Sequence, residues 1–517
     1  MANKALFATF RGMLMPAADA INHEGAPAYT FSPKHALAQY AVTGCFGPTF
    51  YASAEEQLAR VLELCQNVEP EFVARIAIYS RRHAYMKDMP ALLCAWLSLR
   101  DPRLHEAVFA QVIDNARMLR TYVQTVRSGV IGRKSLGTAP KRLVREWLAA
   151  RDEETLFRSS MGADPSMADI LKMVHPKPAN GRREAFYGYM LGRPFDSAAL
   201  PPLVIDFERF RAGEEIDPPD LPFTMLSALP LKRRDWAAIA RNASWQTVRM
   251  NLNTFARHGV FEEAGMTGHI ASQLKDAAEI ARARVLPYQL MSAYQNCGAE
   301  VPSAIREALQ DAMEVAIANV PAINGSVVIC PDVSGSMSSP VTGAPRGATT
   351  SVLCIDIAAL VTAALVRRNP RARVLPFSDG VVPVDLNPRD SVMTNAARLA
   401  SIGGGATNCS APLAWLNREG AQVDAVIFVS DNQSWIDPRM GRGTALLKEW
   451  QEVRDRNPKA RLVCVDVQPY ETTQAADRED ILNIGGFSDQ VFEVISAFVS
   501  GKLDREHWIG RIEATNT

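Results

Sequence analysis

The spacing of hydrophobic residues changes character near residue 320 of this 517-residue chain. Before that point apolar positions recur at helical spacing almost throughout, without a long strand-like alternation. In SAEEQLARVLELCQ, Ser53 and Glu56 form a predicted capping box ahead of an apolar helix face. Segments such as PEFVARIAIYSRRH and PSAIREALQDAMEVAIANV begin with proline in the first helical turn, where its missing N–H costs nothing. Many short helices of similar length predict stacked antiparallel pairs, as in an α-solenoid.

From residue 321 onward the order becomes strand, loop, helix. GSVVICPD, RARVLPFS, QVDAVIFVSD and ARLVCVDVQ are rich in Val and Ile, and they alternate with the helical patterns VLCIDIAALVTAALVRR and TALLKEWQEVRDR. Such alternation is typical of βαβ units and a mostly parallel sheet. We therefore predict a multidomain α + α/β protein, with a helical-repeat domain at 1–320 and an α/β domain at 321–517.

The amino-acid composition excludes few classes of function. The 56 basic and 56 acidic side chains cancel, so any affinity for nucleic acid or membranes must come from a local patch. Eight cysteines without a CxxC pair indicate reduced thiols rather than a disulfide framework or a zinc site. We find neither a cleavable leader pattern nor a continuous apolar run of about 18 residues. These features predict a cytoplasmic protein without a membrane segment.

Three predicted loops at the carboxyl ends of strands carry oxygen ligands. Asp332, Ser334 and Ser336 follow VVIC, Thr407 lies in SIGGGATN, and Asp431 follows VIFVS. Ligands bind at this edge of a parallel sheet, and a set of only hard oxygen donors suits one Mg²⁺. DxSxS alone is more often a helix N-cap, but the further threonine and aspartate in the expected order favour a metal site. No nucleophile and base pair accompanies it, so adhesion is favoured over hydrolysis.

This arrangement resembles the von Willebrand factor A domain and its metal-ion-dependent adhesion site. The resemblance implies that Ser334, Ser336 and Thr407 contact the metal or lie beside it, while Asp332 and Asp431 act directly or through water. A metal shell left incomplete in this way characteristically captures a carboxylate or another anion from a partner.

A basic stretch between residues 115 and 145 contains no acidic residue. A charge run is most often a solvated face, but the missing acids and the glycine-punctuated loop RSGVIGRKSLGT favour contact with nucleic-acid phosphates. GRKS does not have the Walker A spacing, so no ATPase is implied. The eight cations are Arg117, Arg120, Arg127, Arg133, Lys134, Lys141, Arg142 and Arg145.

Two further polar groups occur in the helical half. LKMVHPKP places His175 and Lys177 at a helix end, where a single histidine is usually a favourable C-terminal cap. In WQTVRMNLNTFARHGVF, Arg249, Asn253 and Arg257 recur every four residues. This spacing predicts one polar stripe along one helix, which by default faces solvent.

The order of NHEGAPAYTF, GRKS, PKR, LKMVHPKP and WQTVRMNLNTFARHGVF ahead of the A domain resembles the Ro ribonucleoprotein family over nearly the whole chain, in a bacterial-type member. The helical part of that family is called the TROVE module. The resemblance implies a monomeric ring of HEAT-like repeats, closed by the A domain, that binds RNA without catalysis. His175 and Lys177, with Arg249 and Arg257, then join the basic stretch as predicted RNA contacts.

The resemblance also implies the RNA partners. The basic outer face is expected to bind a small Y-like RNA, and the central hole to accept single-stranded 3′ ends of misfolded or precursor non-coding RNA. A 3′ exoribonuclease such as polynucleotide phosphorylase is the expected protein partner in RNA degradation and ribosomal RNA maturation.

Two other functions remain open from the residues. One is a protein-interaction adaptor whose A domain holds an acidic partner through Mg²⁺ on a helical scaffold. The other is a chelatase-like or nuclease enzyme using Asp332 and Asp431, which the missing P-loop and the missing second metal cluster disfavour.

Overall fold

The structure is a computed structural model that describes residues 16–44, 49, 51–160, 164–283, 287–318, 320–341, 352–434, 443–486, 489–503 and 507–517. Contacts divide the chain into two compact units. The α/β unit contains the described residues of 1–89, 287–292 and 316–516, and the helical unit contains those of 90–285 and 293–315. This division differs from the predicted boundary at residue 320, because the N-terminal segment belongs with the α/β unit.

Helices account for most of the described secondary structure. In chain order they are α1 (Pro33–Thr43), α2 (Ala54–Gln66), α3 (Pro70–Arg82), α4 (Asp88–Leu97), α5 (Pro102–Val112), α6 (Ala116–Ser128), α7 (Thr138–Ala149), α8 (Glu153–Arg158), α9 (Met167–Val174), α10 (Gly181–Leu191), α11 (Pro202–Arg211), α12 (Phe223–Leu226), α13 (Arg233–Asn242), α14 (Trp245–Met250), α15 (Leu252–Arg257), α16 (Met266–Lys275), α17 (Ala277–Ala283), α18 (Pro287–Gln295), α19 (Ser303–Ala316), α20 (Cys354–Arg368), α21 (Val392–Ala400), α22 (Ala411–Arg418), α23 (Ala445–Arg456), α24 (Asp489–Val499) and α25 (His507–Glu513).

Local capping explains where several helices begin. Ser53 Oγ accepts from Glu56 N–H while the Glu56 carboxylate accepts from Ser53 N–H, so the predicted capping box starts α2. Ser166 and Asp169 form a second capping box at the start of α9. Pro70 occupies the first turn of α3, as its position in the sequence predicts. The helical spacing of the first half therefore becomes helices close to the predicted bounds.

The strands form two sheets, of five and three strands. In chain order the strands are β1 (Ala20–Ile21), β2 (Pro27–Thr30), β3 (Val327–Pro331), β4 (Arg373–Val374), β5 (Ala425–Ser430), β6 (Arg461–Asp466), β7 (Thr472–Thr473) and β8 (Ile481–Gly485). The larger sheet has the order β4-β3-β5-β6-β8, and all neighbouring strands are parallel. Strands β3 and β5 are buried along their whole lengths, which is why they are apolar almost without interruption in the sequence. Helix α20 packs on both of them.

The smaller sheet joins an N-terminal segment to a strand of the C-terminal half. Strands β1, β2 and β7 are antiparallel, with Tyr29 paired to Thr473. Helix α1 also packs on β8, and Gln39 Nε2 donates to Asp466 Oδ2 at 2.9 Å. The expectation that no strand precedes residue 320 is therefore wrong for β1 and β2, which are too short to produce a detectable alternation.

The cysteines behave as the sequence predicts. All seven cysteines in the described part of the chain are free thiols, and six of them are buried; Cys45 lies outside the described residues. Burial raises the pKa of the Cys94 thiol. Among the helices of the described residues, none combines the length and hydropathy needed to cross a membrane.

His105 in α5 gives the helical unit a predicted pH dependence. Its Nε2 lies 2.8 Å from the Tyr122 hydroxyl oxygen, and burial lowers its pKa from 6.5 to about 4. Between these two pH values the unfolded chain binds a proton at His105 that the folded chain does not. The contribution of His105 to stability is therefore fully present above pH 6.5 and decreases as the pH falls toward 4. From about pH 7 to about pH 5, we expect the wild type to lose roughly 2 kcal/mol more than a His105→Gln variant. Urea midpoints of both proteins at both pH values measure this difference, and equal losses would contradict the prediction.

Candidate metal centre and nucleic-acid interface

Asp332 and the two serines occupy the turn directly after β3. Asp332 N–H donates to Val429 O at 2.9 Å, so the sheet fixes the beginning of the turn. Asp332 Oδ1 then accepts from Ser334 N–H at 2.9 Å, and the hydroxyl oxygens of Ser334 and Ser336 are 3.3 Å apart. Asp332 and Ser334 are fully buried, and Ser336 is 7% exposed. The turn thus gathers a carboxylate and two hydroxyls within a few ångströms.

The glycine-rich loop lies directly on this turn. Gly335 N–H donates to Gly405 O at 3.0 Å, and Gly404 N–H donates to Val333 O at 2.8 Å. Gly404 and Gly405 have φ angles of 131° and 86°, a region that favours glycine. Thr407 follows two residues later and is 5% exposed. The glycines therefore allow the close backbone approach that places the Thr407 segment against the serine turn.

Asp431 follows β5 and is buried, at 1% exposure. Its Oδ1 accepts from Gln433 N–H at 3.3 Å, while its Oδ2 has no hydrogen-bond partner among the described residues. Ser430, immediately before it, donates its hydroxyl to Asp332 Oδ2 at 2.6 Å. Neighbouring strands β3 and β5 thus bring the two aspartates into one polar cluster.

The electrostatics of this cluster fit a divalent cation. Burial raises the pKa of both Asp332 and Asp431, and the charge of Asp332 raises that of Asp431 further. Two buried carboxylates and an unpaired carboxylate oxygen are costly without a positive charge between them. The remaining donors are Ser and Thr hydroxyls, so the set consists of the hard oxygens that Mg²⁺ prefers. In the described part of the chain no group of three or more His, Cys, Asp or Glu side chains has metal-binding geometry.

Sequence reasoning missed two residues that position this cluster. Ser430 anchors Asp332, and its only sequence signal is a hydroxyl at the end of an apolar strand. Asp379, after β4, accepts from Ala406 N–H at 2.7 Å through Oδ1, and its carbonyl oxygen accepts from Asn408 Nδ2 at 3.2 Å. Asp379 therefore holds the loop on both sides of Thr407. The turn sequence PFSDG gives no indication of this role, because the contact depends on β4 lying beside β3.

The basic stretch lies on α6, on α7 and in the loop between them. Arg117, Arg127 and Lys134 are exposed. Arg120 is half-buried and donates Nη1–H to Ser159 O at 3.0 Å, and burial lowers its pKa. Arg133 is half-buried and folds back against the backbone of the loop. Arg120 and Arg133 are therefore less accessible to a phosphate than the other three.

Helix α7 has only part of the predicted basic face without neighbouring acidic side chains. Arg142 is exposed, but its guanidinium pairs with Glu106 at 2.6 Å and with Glu146 at 2.9 Å. The expectation of a face without acids is therefore wrong at Arg142, because Glu106 on α5 and Glu146 after the stretch supply the acids. Lys134 and the half-buried Lys141 make no ion pair within the part of the chain that the structure describes.

The histidine loop lies beside α7. His175 is the exposed C-cap of α9, with φ of 46° and its N–H donating to Leu171 O at 2.9 Å. Lys177 is also exposed. The guanidinium of Arg145, on α7, donates to Val174 O at the end of α9. The structure therefore places the basic stretch and the His175–Lys177 loop next to each other, although thirty residues separate them.

The predicted stripe through Arg249, Asn253 and Arg257 is wrong as a single helix. The helix ends at Met250 and a new one begins at Leu252, with φ of −121° at Asn251 between them. Half-buried Arg249 contacts Gln246 Oε1, at 3.0 Å from Nη2, and Arg257 is exposed. The Asn253 side chain is engaged with the backbone of residues 296 and 298. A local break thus separates the two arginines onto different helices.

Comparison with known proteins agrees with this architecture. The family model described as the Ro60 vWA domain matches residues 326–499. The RNA-binding protein RO60 of Deinococcus radiodurans is 25% identical over 528 residues, which cover 93% of this chain and 95% of that protein. The RNA-binding protein RO60 of Caenorhabditis elegans is 24% identical over 250 residues, covering 46% of this chain and 37% of that protein. The crystal structure of the Deinococcus radiodurans RO (RSR) protein matches with a TM-score of 0.62 at 22% identity, over 91% of this chain and all of that one.

The fold and the oxygen-lined cluster define a von Willebrand factor A domain protein with a large helical part. Residues 326–499 match the Ro60 vWA domain, and 93% of the chain is similar to a bacterial protein named RNA-binding protein RO60. The predicted resemblance to the Ro family and the predicted α + α/β fold class are thereby confirmed. Both relatives are named as RNA-binding proteins and neither as an enzyme, which agrees with the prediction of a non-catalytic protein.

Proposed function

We propose that this protein binds RNA through basic residues of its helical unit and does not transform it. The observation that carries the proposal is the contact of Arg145 with the end of α9, which joins the basic stretch to the His175–Lys177 loop. Helices α6 and α7 both pack on α9, so the cations of the basic stretch and of this loop belong to one group of helices, and clustered cations of this kind can contact an RNA backbone. The RNA-binding relatives support the same conclusion.

The finer form of the proposal concerns which RNA is bound. We propose a small structured Y-like RNA on the basic surface, and single-stranded 3′ ends of misfolded or precursor non-coding RNA as a second class of ligand. The protein would then act in cytoplasmic RNA quality control or ribosomal RNA maturation, with a 3′ exoribonuclease such as polynucleotide phosphorylase as partner. The central hole and the monomeric ring stay predictions.

Two RNA probes test the proposal. A duplex with a single-stranded 3′ tail and the same duplex with blunt ends are compared by gel shift at several salt concentrations. We expect the logarithm of the affinity to fall linearly with the logarithm of salt concentration, because phosphate contacts release counterions. The tailed RNA should bind more tightly than the blunt one. An affinity that does not change with salt concentration would contradict RNA binding through the basic residues. Equal affinity for both RNAs would contradict the proposed binding of single-stranded 3′ ends.

We also propose that Asp332, Ser334, Ser336, Thr407 and Asp431 hold one Mg²⁺. The unpaired Asp431 Oδ2 and the oxygen-only donor set support it. When bound, the ion supplies a positive charge that can hold a carboxylate. The same observation favours the adaptor as a second candidate function, in which an acidic partner protein is held at this site. Purification from the native cell with and without RNase separates the two, because an adaptor keeps its protein partners and carries no small RNA.

A further inference from the structure

The turn between β1 and β2 lies on the loop that carries Asp431. Asn22 Nδ2 donates to Ser434 O at 2.7 Å, and His23 N–H donates to Gln433 Oε1 at 3.1 Å. Asn22 is buried, and its Oδ1 accepts from the N–H groups of Glu24 and Ala26 at 3.1 and 2.9 Å. The turn is therefore fixed in shape and anchored to Gln433 and Ser434, which follow Asp431 by two and three residues.

Glu24 belongs to this turn, and Tyr51 engages its carboxylate. It accepts a hydrogen bond from the Tyr51 hydroxyl, and Tyr51 is also hydrogen-bonded to the side chain of Ser336. The negative charge of Glu24 is one of the causes that raise the pKa of Asp431. Tyr51 thus connects Glu24 to a predicted metal ligand, and Glu24 is close enough to act electrostatically on another.

Aromatic rings hold this arrangement in place. His23 stacks on Tyr51 with ring centroids 5.2 Å apart, and Tyr470 contacts Tyr51 edge-on at 5.7 Å. The Tyr470 hydroxyl donates to Gln468 Oε1, whose Nε2 donates to Ser339 Oγ at 3.0 Å. Ser339 belongs to the serine turn, where its hydroxyl donates to Ser336 O at 2.9 Å. These aromatic rings are therefore connected by hydrogen bonds to the serine turn of the candidate site.

A third carboxylate beside two buried ones needs an explanation. Ser336, Thr407 and Asp431 are all 7% exposed or less, so the cluster is covered rather than open to an external carboxylate. A hydrogen bond to Tyr51 alone does not require an acid, since an amide oxygen accepts equally well. A negative charge at position 24 is favourable when a cation lies between it and the aspartates.

We propose that Glu24 is an intramolecular ligand of the metal site, taking the coordination position that a partner's carboxylate takes in an incomplete shell of this kind. The turn at residues 22–25 then closes over the bound ion, and an external acidic ligand binds only by displacing it. This inference rests on the Mg²⁺ site proposed above. It adds that the ion links the N-terminal turn to the sheet.

The test uses the full chain and Mn²⁺ as the probe for the divalent site. Glu24→Gln preserves the acceptor for Tyr51 and removes the charge. Glu55→Gln is the control, since it removes an exposed carboxylate in the first turn of α2. By calorimetry we expect Glu24→Gln to weaken Mn²⁺ binding at least about tenfold, and Glu55→Gln to leave it unchanged. A second variant, Glu24→Asp, retains the charge with a shorter reach and should fall between them.

Hydrogen exchange at the amides of residues 22–26 provides a readout of the closure. Mg²⁺ should slow exchange there in the wild type and in Glu55→Gln, but not in Glu24→Gln. If Glu24→Gln binds Mn²⁺ like the wild type and keeps the Mg²⁺-dependent protection, Glu24 is not a ligand. The proposed metal site itself would then still be supported. If the wild type itself binds no Mn²⁺, the metal site and the inference both fail.

Discussion

Neutralising Lys134, Lys141 and Lys177 by Gln is expected to weaken binding of the tailed RNA by about a hundredfold, from three charge-assisted contacts of roughly 1 kcal/mol each. These lysines come from the loop before α7, from α7 itself and from the loop after α9, and Arg145 connects these two helices. None of them has an ion pair in the part of the chain that the structure describes, and their charges are therefore available to phosphates.

The salt dependence makes this prediction more specific than a loss of affinity. Each lost phosphate contact should reduce the slope of log affinity against log salt by about 1, so the triple variant should have a slope smaller by about 2 to 3. Fluorescence anisotropy over a salt series measures both quantities. An unchanged slope with weaker binding would indicate misfolding rather than lost phosphate contacts.

The matched control removes three positive charges elsewhere in the helical unit. Arg209, Arg211 and Lys232 are exposed cations that are already paired with acids. Their combined replacement by Gln changes the net charge of the protein by the same amount, and we expect it to alter RNA affinity by less than about threefold. Equal losses in the two triple variants would show that net charge, and not this surface, determines binding.

Asp431→Asn is expected to abolish stabilisation of the protein by Mg²⁺. At a hundredfold excess of Mg²⁺ over its dissociation constant, binding to the folded state alone stabilises it by about 3 kcal/mol, which corresponds to a melting temperature higher by several degrees. The amide has nearly the same shape as the carboxylate but lacks the charge of the unpaired Oδ2. Differential scanning fluorimetry with Mg²⁺ and with EDTA measures the shift.

Asp379→Asn is the matched control for this experiment. Asp379 is an exposed aspartate in the same group of loops, and an amide oxygen there still accepts from Ala406 N–H. We expect the Mg²⁺-dependent shift to be retained in Asp379→Asn. A shift retained in Asp431→Asn would contradict the assignment of that residue as a ligand.

Part of the candidate metal site was predictable from the sequence, because three of the residues that form it lie close together along the chain. Asp332, Ser334 and Ser336 fall within five residues after an apolar strand, and Asp431 follows a second such strand. Parallel strands end at the same edge, so residues that follow them meet whatever the details of packing. Ser430 and Asp379 were missed, since their contacts depend on β3 lying between β4 and β5.

The basic surface was predictable in composition but not in pairing. The stretch from 115 to 145 contains no acid, yet Glu106 reaches Arg142 from another helix. In the same way the four-residue spacing of Arg249 and Arg257 indicated one helix, and the backbone at Asn251 divides it into two. Charge along a sequence does not determine charge in space, because an ion pair needs only that two side chains come within about 4 Å.

The sequence by itself determined the helical first half, the parallel sheet and the resemblance to the Ro family, because hydrophobic periodicity and the order of motifs are properties of the chain alone. Only the tertiary structure decided that the N-terminal turn belongs to the α/β unit, where β2 pairs with β7 more than four hundred residues away. The same packing brings Glu24 to the Tyr51 hydroxyl. Such contacts join short, weakly patterned segments, and their positions follow from the packing of the whole unit rather than from any local preference.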